Sequence, residues 1–301
     1  MDRTERIDFQ ATSDPGLQPG ADRGEDRLLS YRQLYELWER QHWQASAIDF
    51  SQDVRDWEAL SETDKADISF VLSSFFIGEE RVTTQFSGLV QAYEGQAEEA
   101  FLTTQQVDEA RHTQHFNNFY AQVLGRDGTF DDRLEQARAD LNDDFVRLFD
   151  GYLVDAGKAL IADPSDVGAK VDFVTTYHMI IEGTLALTGQ NFVTRAFEDR
   201  GILPGFIEGF KKISQDEHRH VAYGTWYLQT KAADPALRKR IADRLLELLP
   251  TTAGVLVPPG ADPENFSLLG FAGEEVNTFA FTALSRRLRV IGVDLAAATA
   301  A

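Results

Sequence analysis

From Ser30 onward the apolar residues of the chain recur at helical spacing. Tyr31, Leu34, Tyr35, Leu37 and Trp38 begin a short helix that Ser30 can cap. His42 to Ala45 lead into an irregular link at Ile48, Asp49 and Phe50. Ser61-Glu62-Thr63-Asp64 has the form of a capping box and opens a long helix carrying Ile68, Val71, Leu72, Phe75, Phe76, Val82 and Phe86. After a polar break at Gly95-Gln96, Phe101, Leu102, Val107, Phe116 and Phe119 mark a second long helix, which turns at residues 125–129. Residues 131–160 give one helix or two short ones. A further helix runs from about 167 to 199, with Phe173, Tyr177, Ile181, Leu185 and Phe192 inward; Gly183 and Gly189 weaken it and permit a local bulge. Helices follow from about 204 to 231, 235 to 249 and 273 to 290. The text after Pro250 is less regular, and no period-two strand pattern occurs. The fold class expected is all-α, a helix bundle with extra flanking helices. Residues 1–26 read as a flexible leader, 27–292 as the folded domain and 293–301 as a frayed, Ala-rich tail.

Four acidic and two imidazole side chains interrupt these apolar faces in a repeated pattern. Asp108-Glu109-Ala110-Arg111-His112 and Asp216-Glu217-His218-Arg219-His220 both read D-E-x-R-H, 108 residues apart. Glu79 precedes Glu109 by 30 residues and Glu182 precedes Glu217 by 35, room for part of one helix, a connection and a returning helix. Residues three apart on a helix share a face, so Glu109 can share a metal with His112, and Glu217 with His220. Glutamate oxygen and neutral imidazole suit Fe, Mn or Zn, and oxygen-rich sites lean towards Fe and Mn. Four carboxylates in an apolar core are untenable alone, whereas two divalent cations cancel them. A single E-x-x-H usually means nothing; two copies, each with a matching upstream Glu, point to a dinuclear site of the ferritin-like kind.

The remaining polar residues near the motifs are less specific. His42 and His115 are expected at the surface, and His218 pointing away from the metals. His178, one turn before Glu182, is either structural or beside the ligands. Asp108 and Asp216 can accept the free N–H of a ligating His, with at least one of them expected to be a plain surface Asp. Arg111 and Arg219 either compensate that charge or solvate the outer face.

Composition narrows the function. A formal net charge of −20 argues against nucleic acid or an anionic membrane as partner. The absence of cysteine removes disulfides, thiolate metal sites and Cys nucleophiles. No signal-peptide pattern or long apolar run occurs, so a cytoplasmic location is expected.

At the motif residues the chain resembles the ribonucleotide reductase small-subunit branch of the ferritin-like proteins. Within that branch it is most similar to the ligand-binding oxidases with a mixed manganese–iron centre. The resemblance runs from about Trp38 to Leu249 and rests on Ala47-Ile48-Asp49-Phe50, Gly78-Glu79-Glu80-Arg81-Val82, Tyr177 to Gly183 and the two D-E-x-R-H stretches. It implies Glu79, Glu109, His112, Glu182, Glu217 and His220 as ligands of Mn and Fe, or of two Fe. It further implies an ether cross-link between Val82 and Tyr177, and a coupling of the surface to a ligand His through Trp43 and Asp216. Phe116 stands where a radical-storing subunit carries Tyr, and the tail lacks the aromatic docking residue of a reductase small subunit.

The function so implied is an O2-activating oxidase of C–H or N–H bonds, binding a fatty-acid-like or other small ligand. Polar Arg81, Thr83, Thr84 and Gln85 near the site would favour a different one. A homodimer and an external electron donor are the expected partners. Alternative readings are an N-oxygenase or other tailoring oxidase of a small metabolite, and a reductase small subunit without the radical tyrosine.

Overall fold

A computed structural model describes residues 29–295. The expected leader, 1–26, and the Ala-rich end from 296 lie outside the described residues. Four helical runs carry the candidate ligands: α3 (Glu62–Gln85), α5 (Gln96–Gln122), the run from α9 (Val167–Val174) to α10 (Leu187–Arg200), and α11 (Pro204–Lys231). α3 packs along α5, and α10 along α11. Around them lie α1 (Tyr31–Arg40), against α5; α2 (Ser51–Ala59), against α11; and α12 (Pro235–Val255) and α13 (Gly273–Ile291), both against the segment joining α9 to α10. The apolar core is continuous from Leu29 to Val293. Among the described residues, no helix is long and apolar enough to cross a membrane.

The helix starts follow local chemistry. Ser30 closes a full capping box with Gln33, and Ser61 accepts from the Asp64 N–H, each satisfying an orphan donor of the first turn. Helix α2 follows directly on the irregular link at Ile48, Asp49 and Phe50, in a stretch without readable periodicity, and Asp53 on it anchors it to α11. This buried carboxylate accepts from the backbone N–H groups of Gly205 and Phe206, at 2.9 and 2.7 Å, and so caps α11 from a distance.

Several expectations change. The region 131–160 resolves into α6 (Phe130–Arg138), α7 (Asp143–Val146), a π-helical turn (Arg147–Leu153) and α8 (Val154–Ala162), beside the short α4 (Ser87–Gln91). Helix α12 continues through Pro250 to Val255. Pro250 removes one backbone donor, but burial of Thr251, Thr252 and Val255 holds the last turn in place. The Asn142 amide caps its end by donating to the carbonyls of Gly254, Val255 and Val257. A minimal antiparallel hairpin, β1 (Ser267–Leu268) with β2 (Phe271–Ala272), is too short to show alternation. Val107 points outward, 49% exposed, because the inward face of α5 is taken by the polar residues of the site.

Between α9 and α10 the chain forms a π-helix, Thr175–Ala186, that contains Glu182. The bulge expected at Gly183 or Gly189 falls at Gly183; Gly189 lies in regular α10. A Cβ on Gly183 would sit 2.7 Å from the His178 carbonyl oxygen, so the widened turn needs glycine there. Thr184 Oγ1 donates to the Met179 carbonyl at 2.7 Å, and Arg287 Nη1 donates to the Gly183 carbonyl at 2.6 Å. These bonds occupy carbonyls that the distorted ladder leaves free.

Helix α11 approaches this segment closely through Gly224, where a Cβ would lie 2.2 Å from His178 Cβ. Neither atom can rotate away. Alanine for glycine inside a helix ordinarily gains about 1 kcal/mol. Gly224→Ala is nevertheless expected to destabilise, because such overpacking costs about 1–3 kcal/mol on its own. A urea midpoint that stays level or rises would show that the two helices can part without cost.

Candidate metal centre

The six ligand candidates converge in the middle of the bundle. Glu79 comes from α3, Glu109 and His112 from α5, Glu182 from the π segment, and Glu217 and His220 from α11; all six are buried. Two groups of four can each offer ligand atoms within 4.8 Å of one another: Glu79, Glu109, His112 and Glu217, and Glu109, Glu182, Glu217 and His220. Glu109 and Glu217 belong to both. His112 Nδ1 lies 3.4 Å from Glu79, 3.5 Å from Glu109 and 3.4 Å from Glu217. His220 Nδ1 lies 3.1 Å from Glu109, 3.2 Å from Glu182 and 3.7 Å from Glu217.

Electrostatics fit a cation pair. Glu109 Oε2, His112 Nδ1, Glu182 Oε2 and Glu217 Oε2 are buried without a hydrogen-bond partner. Left so, each costs about 1–3 kcal/mol. Burial pushes the Glu79 carboxyl up to about 8, against the opposing pull of His112. It likewise raises Glu182 well above the carboxylate range, aided by the charge of Glu217. Burial also opposes ionisation of Glu109, but the nearby charges of His220 and His112 outweigh it and hold that carboxyl well below its usual value. The cluster balances itself by retaining protons on some groups. Two divalent ions at the same points would displace them, and glutamate with imidazole is a donor set for Fe, Mn or Zn.

Behind the ligands each imidazole is held by an aspartate from the opposite motif. His112 Nε2 lies 3.1 Å from Asp216 Oδ2, and His220 Nε2 lies 3.2 Å from Asp108 Oδ2. This bond keeps a proton on Nε2, so the proton a bound cation would displace is the one on Nδ1, which is turned towards the carboxylates. Both aspartates are buried, which corrects the expectation that at least one lies at the surface. Arg219, 1% exposed, donates to Asp108 at 2.9 Å and also to Asp216 and Gln41. Arg111 pairs with Asp108 and lies over the Trp43 ring, so both arginines belong to the network. Indoles close it on the outside: Trp43 Nε1 donates to Asp216 Oδ2 at 2.7 Å, and Trp38 Nε1 to Asp108 Oδ1 at 2.8 Å.

The other residues singled out from the sequence fall in three places. Val82 and Tyr177 line one apolar cavity of about 90 Å³ together with Glu79, Glu109, Glu182 and Glu217. Tyr177 Oη donates to Glu109 Oε1 at 2.5 Å, and Gln105 Nε2 donates to Tyr177 Oη at 3.1 Å. Phe116 is fully buried in an aromatic group, its ring parallel to Phe75 at 5.9 Å and edge-on to Phe206 and Phe210. His42 is exposed as expected. His115 is not: it is fully buried among Trp43, Phe50, Phe116 and Phe206, and burial lowers its pKa to about 3. Its place one turn after Arg111, on the aromatic side of α5, accounts for the difference.

His178 is buried beside the ligands, within 3.3 Å of Gln105. His218 is buried too, its Nδ1 against the Ser214 carbonyl and away from the cluster. Arg81, Thr83, Thr84 and Gln85 are absent from the cavity wall; Arg81 pairs with Asp150 at 2.7 Å, and Thr83 and Thr84 donate to carbonyls of their own helix. Sequence reasoning missed Trp38 and Gln105. Gln105 was open to discovery, as a polar residue one turn before Glu109 in an apolar stretch. Nothing in the sequence marked Trp38.

Comparison with known proteins agrees with this geometry. The family model for the small chain of ribonucleotide reductase matches residues 29–292. Among solved structures, a tyrosine-to-phenylalanine mutant of R2-like ligand-binding oxidase with an anaerobically reconstituted Mn/Fe cofactor superposes with a TM-score of 0.76. It is 26% identical in sequence, and the match covers 89% of this chain and 94% of that one. A valine-to-alanine mutant of R2-like ligand-binding oxidase, also with anaerobically reconstituted Mn/Fe cofactor, gives 0.75 at the same identity and coverage. A further tyrosine-to-phenylalanine mutant, aerobically reconstituted, gives 0.74 at 25% identity, covering 89% and 94%.

Proposed function

We propose, from the premise that this chain belongs to the ribonucleotide reductase small-chain family, that it is a dinuclear manganese–iron oxidase that uses O2. The observation that carries this reading is the pair of four-residue groups sharing Glu109 and Glu217, whose four glutamates line an otherwise apolar cavity. In this reading Glu79 and His112 hold one ion, Glu182 and His220 the other, and Glu109 and Glu217 serve both. Bound there, the ions supply the redox chemistry with O2 that none of these side chains can supply.

The protein's own contributions follow from the geometry. Asp216 and Asp108 fix the imidazole tautomers and aim Nδ1 inward. The π segment sets Glu182 apart from the regular ladder, from where its carboxylate would serve the second ion. The apolar wall, with Phe149, Ile181 and Leu185, keeps bulk water from the reacting groups. Among the described residues no Lys or Arg lines the cavity, so the ions would be what neutralises an anionic ligand there. A fatty-acid-like molecule, with its carboxylate towards the metals and its chain along the apolar wall, suits this arrangement.

The Val82–Tyr177 cross-link is part of the proposal. A side-chain carbon of Val82 loses hydrogen, Tyr177 loses its phenolic proton, and a C–O bond joins them; the two electrons pass to O2. Glu109 Oε1, 2.5 Å from the Tyr177 hydroxyl, is positioned to receive that proton. The phenyl side chain of Phe116 offers no hydroxyl at which a tyrosyl radical could form.

Anaerobic loading with Mn and Fe, then O2, followed by peptide mapping, tests these points. The expected product joins the peptides bearing Val82 and Tyr177, lighter by two hydrogens. Tyr177→Phe should remove this product while leaving the metal content intact. Oxygen uptake with the two peptides still separate would end the cross-link proposal alone. Failure to hold Mn or Fe after dialysis would end the dinuclear one. Small molecules extracted from the purified protein identify the ligand.

A further inference from the structure

Trp38 has no role in the chemistry above, yet it is tied to the centre by an unbroken hydrogen-bond chain. Its Nε1–H donates to Asp108 Oδ1 at 2.8 Å, and Asp108 Oδ2 lies 3.2 Å from His220 Nε2. The Nδ1 of the same ring faces Glu109 and Glu182. On the other side, Trp43 reaches His112 through Asp216 in the same number of bonds. The two imidazoles belong to different four-residue groups. Each candidate metal position is therefore joined through one aspartate to one indole.

We propose that Trp38, Asp108 and His220 form a one-electron route into the centre, parallel to Trp43, Asp216 and His112, so that each metal position has its own port. This rests on the dinuclear oxidase reading.

Three features favour an electron route over a structural pin. First, Asp108 already receives bonds from Arg111, Arg219 and the His220 ring, so it needs no fourth donor to stay paired. Second, indole is among the most readily oxidised side chains, and its N–H bond to a carboxylate lets the proton move as the electron leaves. Third, the placement is graded. Trp38 is half-buried on α1, with the Tyr35 and His42 rings 6.1 and 6.3 Å away, whereas Asp108 and His220 are fully enclosed. A route so arranged begins near solvent and ends at a ligand. Arg219, bonded to both aspartates, offsets the negative charge that both routes carry.

The transfer balances without net bond change. Trp38 gives one electron to the oxidised centre and its N–H proton to Asp108 Oδ1. An external one-electron donor, of the reduced flavin or iron–sulfur class, refills the indole, and the proton returns. One electron has then passed from donor to centre. Returning two oxidised ions to the reduced state takes one such event at each port.

The test uses full-length protein loaded with Mn and Fe and oxidised with O2. Photoreduced flavin is the donor, and wild type, Trp38→Phe, Trp43→Phe and the double variant are compared. Metal content, O2 uptake and the rate of reduction per bound ion are read on the same samples. Wild type should reduce in two one-electron phases. Each single variant should slow one phase by about tenfold, a loss typical for partners behind metal ligands, and the double variant should slow both. During the O2 reaction without donor, an organic radical signal in Trp43→Phe should narrow when tryptophan is ring-deuterated, and should vanish in the double variant. If Trp38 only positions Asp108, Trp38→Phe will lower metal content while the rates per bound ion stay at wild-type values, and the proposal is overturned. Loss of both phases in Trp43→Phe alone overturns it equally. No O2 uptake by the loaded wild type would overturn the oxidase reading itself, whereas uptake with unaltered reduction in Trp38→Phe removes only the second port.

Discussion

Alanine at Glu109 is expected to empty both metal positions, whereas alanine at Glu79 or Glu182 should empty one. Glu109 and Glu217 lie in both ligand groups, while Glu79 and Glu182 each lie in one. Glu109→Ala removes an oxygen donor from each ion and the acceptor of the Tyr177 hydroxyl at the same time. Since even partners behind the ligands shift metal affinity by about 10- to 100-fold, loss of a shared ligand should weaken both ions at least at the upper end of that range. The metal-free variant should still fold, because the substitution removes one of four crowded buried carboxylates. Metal analysis per chain after dialysis, with circular dichroism as the folding control, reads the result. One ion retained by Glu109→Ala would show that the two positions do not share this residue.

Replacement of Arg219 should give the largest stability loss outside the ligand set. Its guanidinium is enclosed and bonded to Asp108 and Asp216, both of them buried. Burial raises the Asp216 carboxyl, but Arg219 and the His112 bond outweigh it and hold the group well below its usual range. Arg219→Met fills a similar volume and leaves two negative groups facing each other with one cation fewer. Breaking a buried pair in this way costs about 3–5 kcal/mol. For a chain of this size, at about 2–4 °C per kcal/mol, the melting temperature should fall by roughly 10 °C. Adding Asp108→Asn and Asp216→Asn to Arg219→Met should recover part of the loss, because the uncompensated charge is then gone. A melting temperature within a degree or two of wild type in Arg219→Met would mean that water or another cation reaches the aspartates.

Much of this organisation is legible in the sequence, for reasons that differ between elements. The long helices are written in their apolar spacing and caps, as at Ser30 and Ser61. The motifs locate the cluster because three-residue spacing fixes the relative direction of Glu109 and His112 before any tertiary contact forms. Short elements are harder to read. Helix α2 and the pieces between 130 and 162 have too few residues for a period to emerge, and packing decides them. Pro250 reads as an end because its missing N–H breaks the helical ladder, while burial and the Asn142 cap decide otherwise. His115 reads as polar and therefore exposed; the aromatic residues that enclose it from other elements come from α11 and the segment before α2.

By itself the sequence determined the donors: which residue types, on which helices, at what spacing, and that an apolar core would surround them. Only the tertiary structure decided how the two halves interlock. Consecutive helical residues are turned about 100° from each other, so Asp108 cannot share the direction of Glu109 and looks instead towards the neighbouring helix. There it meets His220, as Asp216 meets His112, and Arg219 binds both aspartates. A helix fixes directions within itself, but which partner stands opposite is set by the packing of one helix on another.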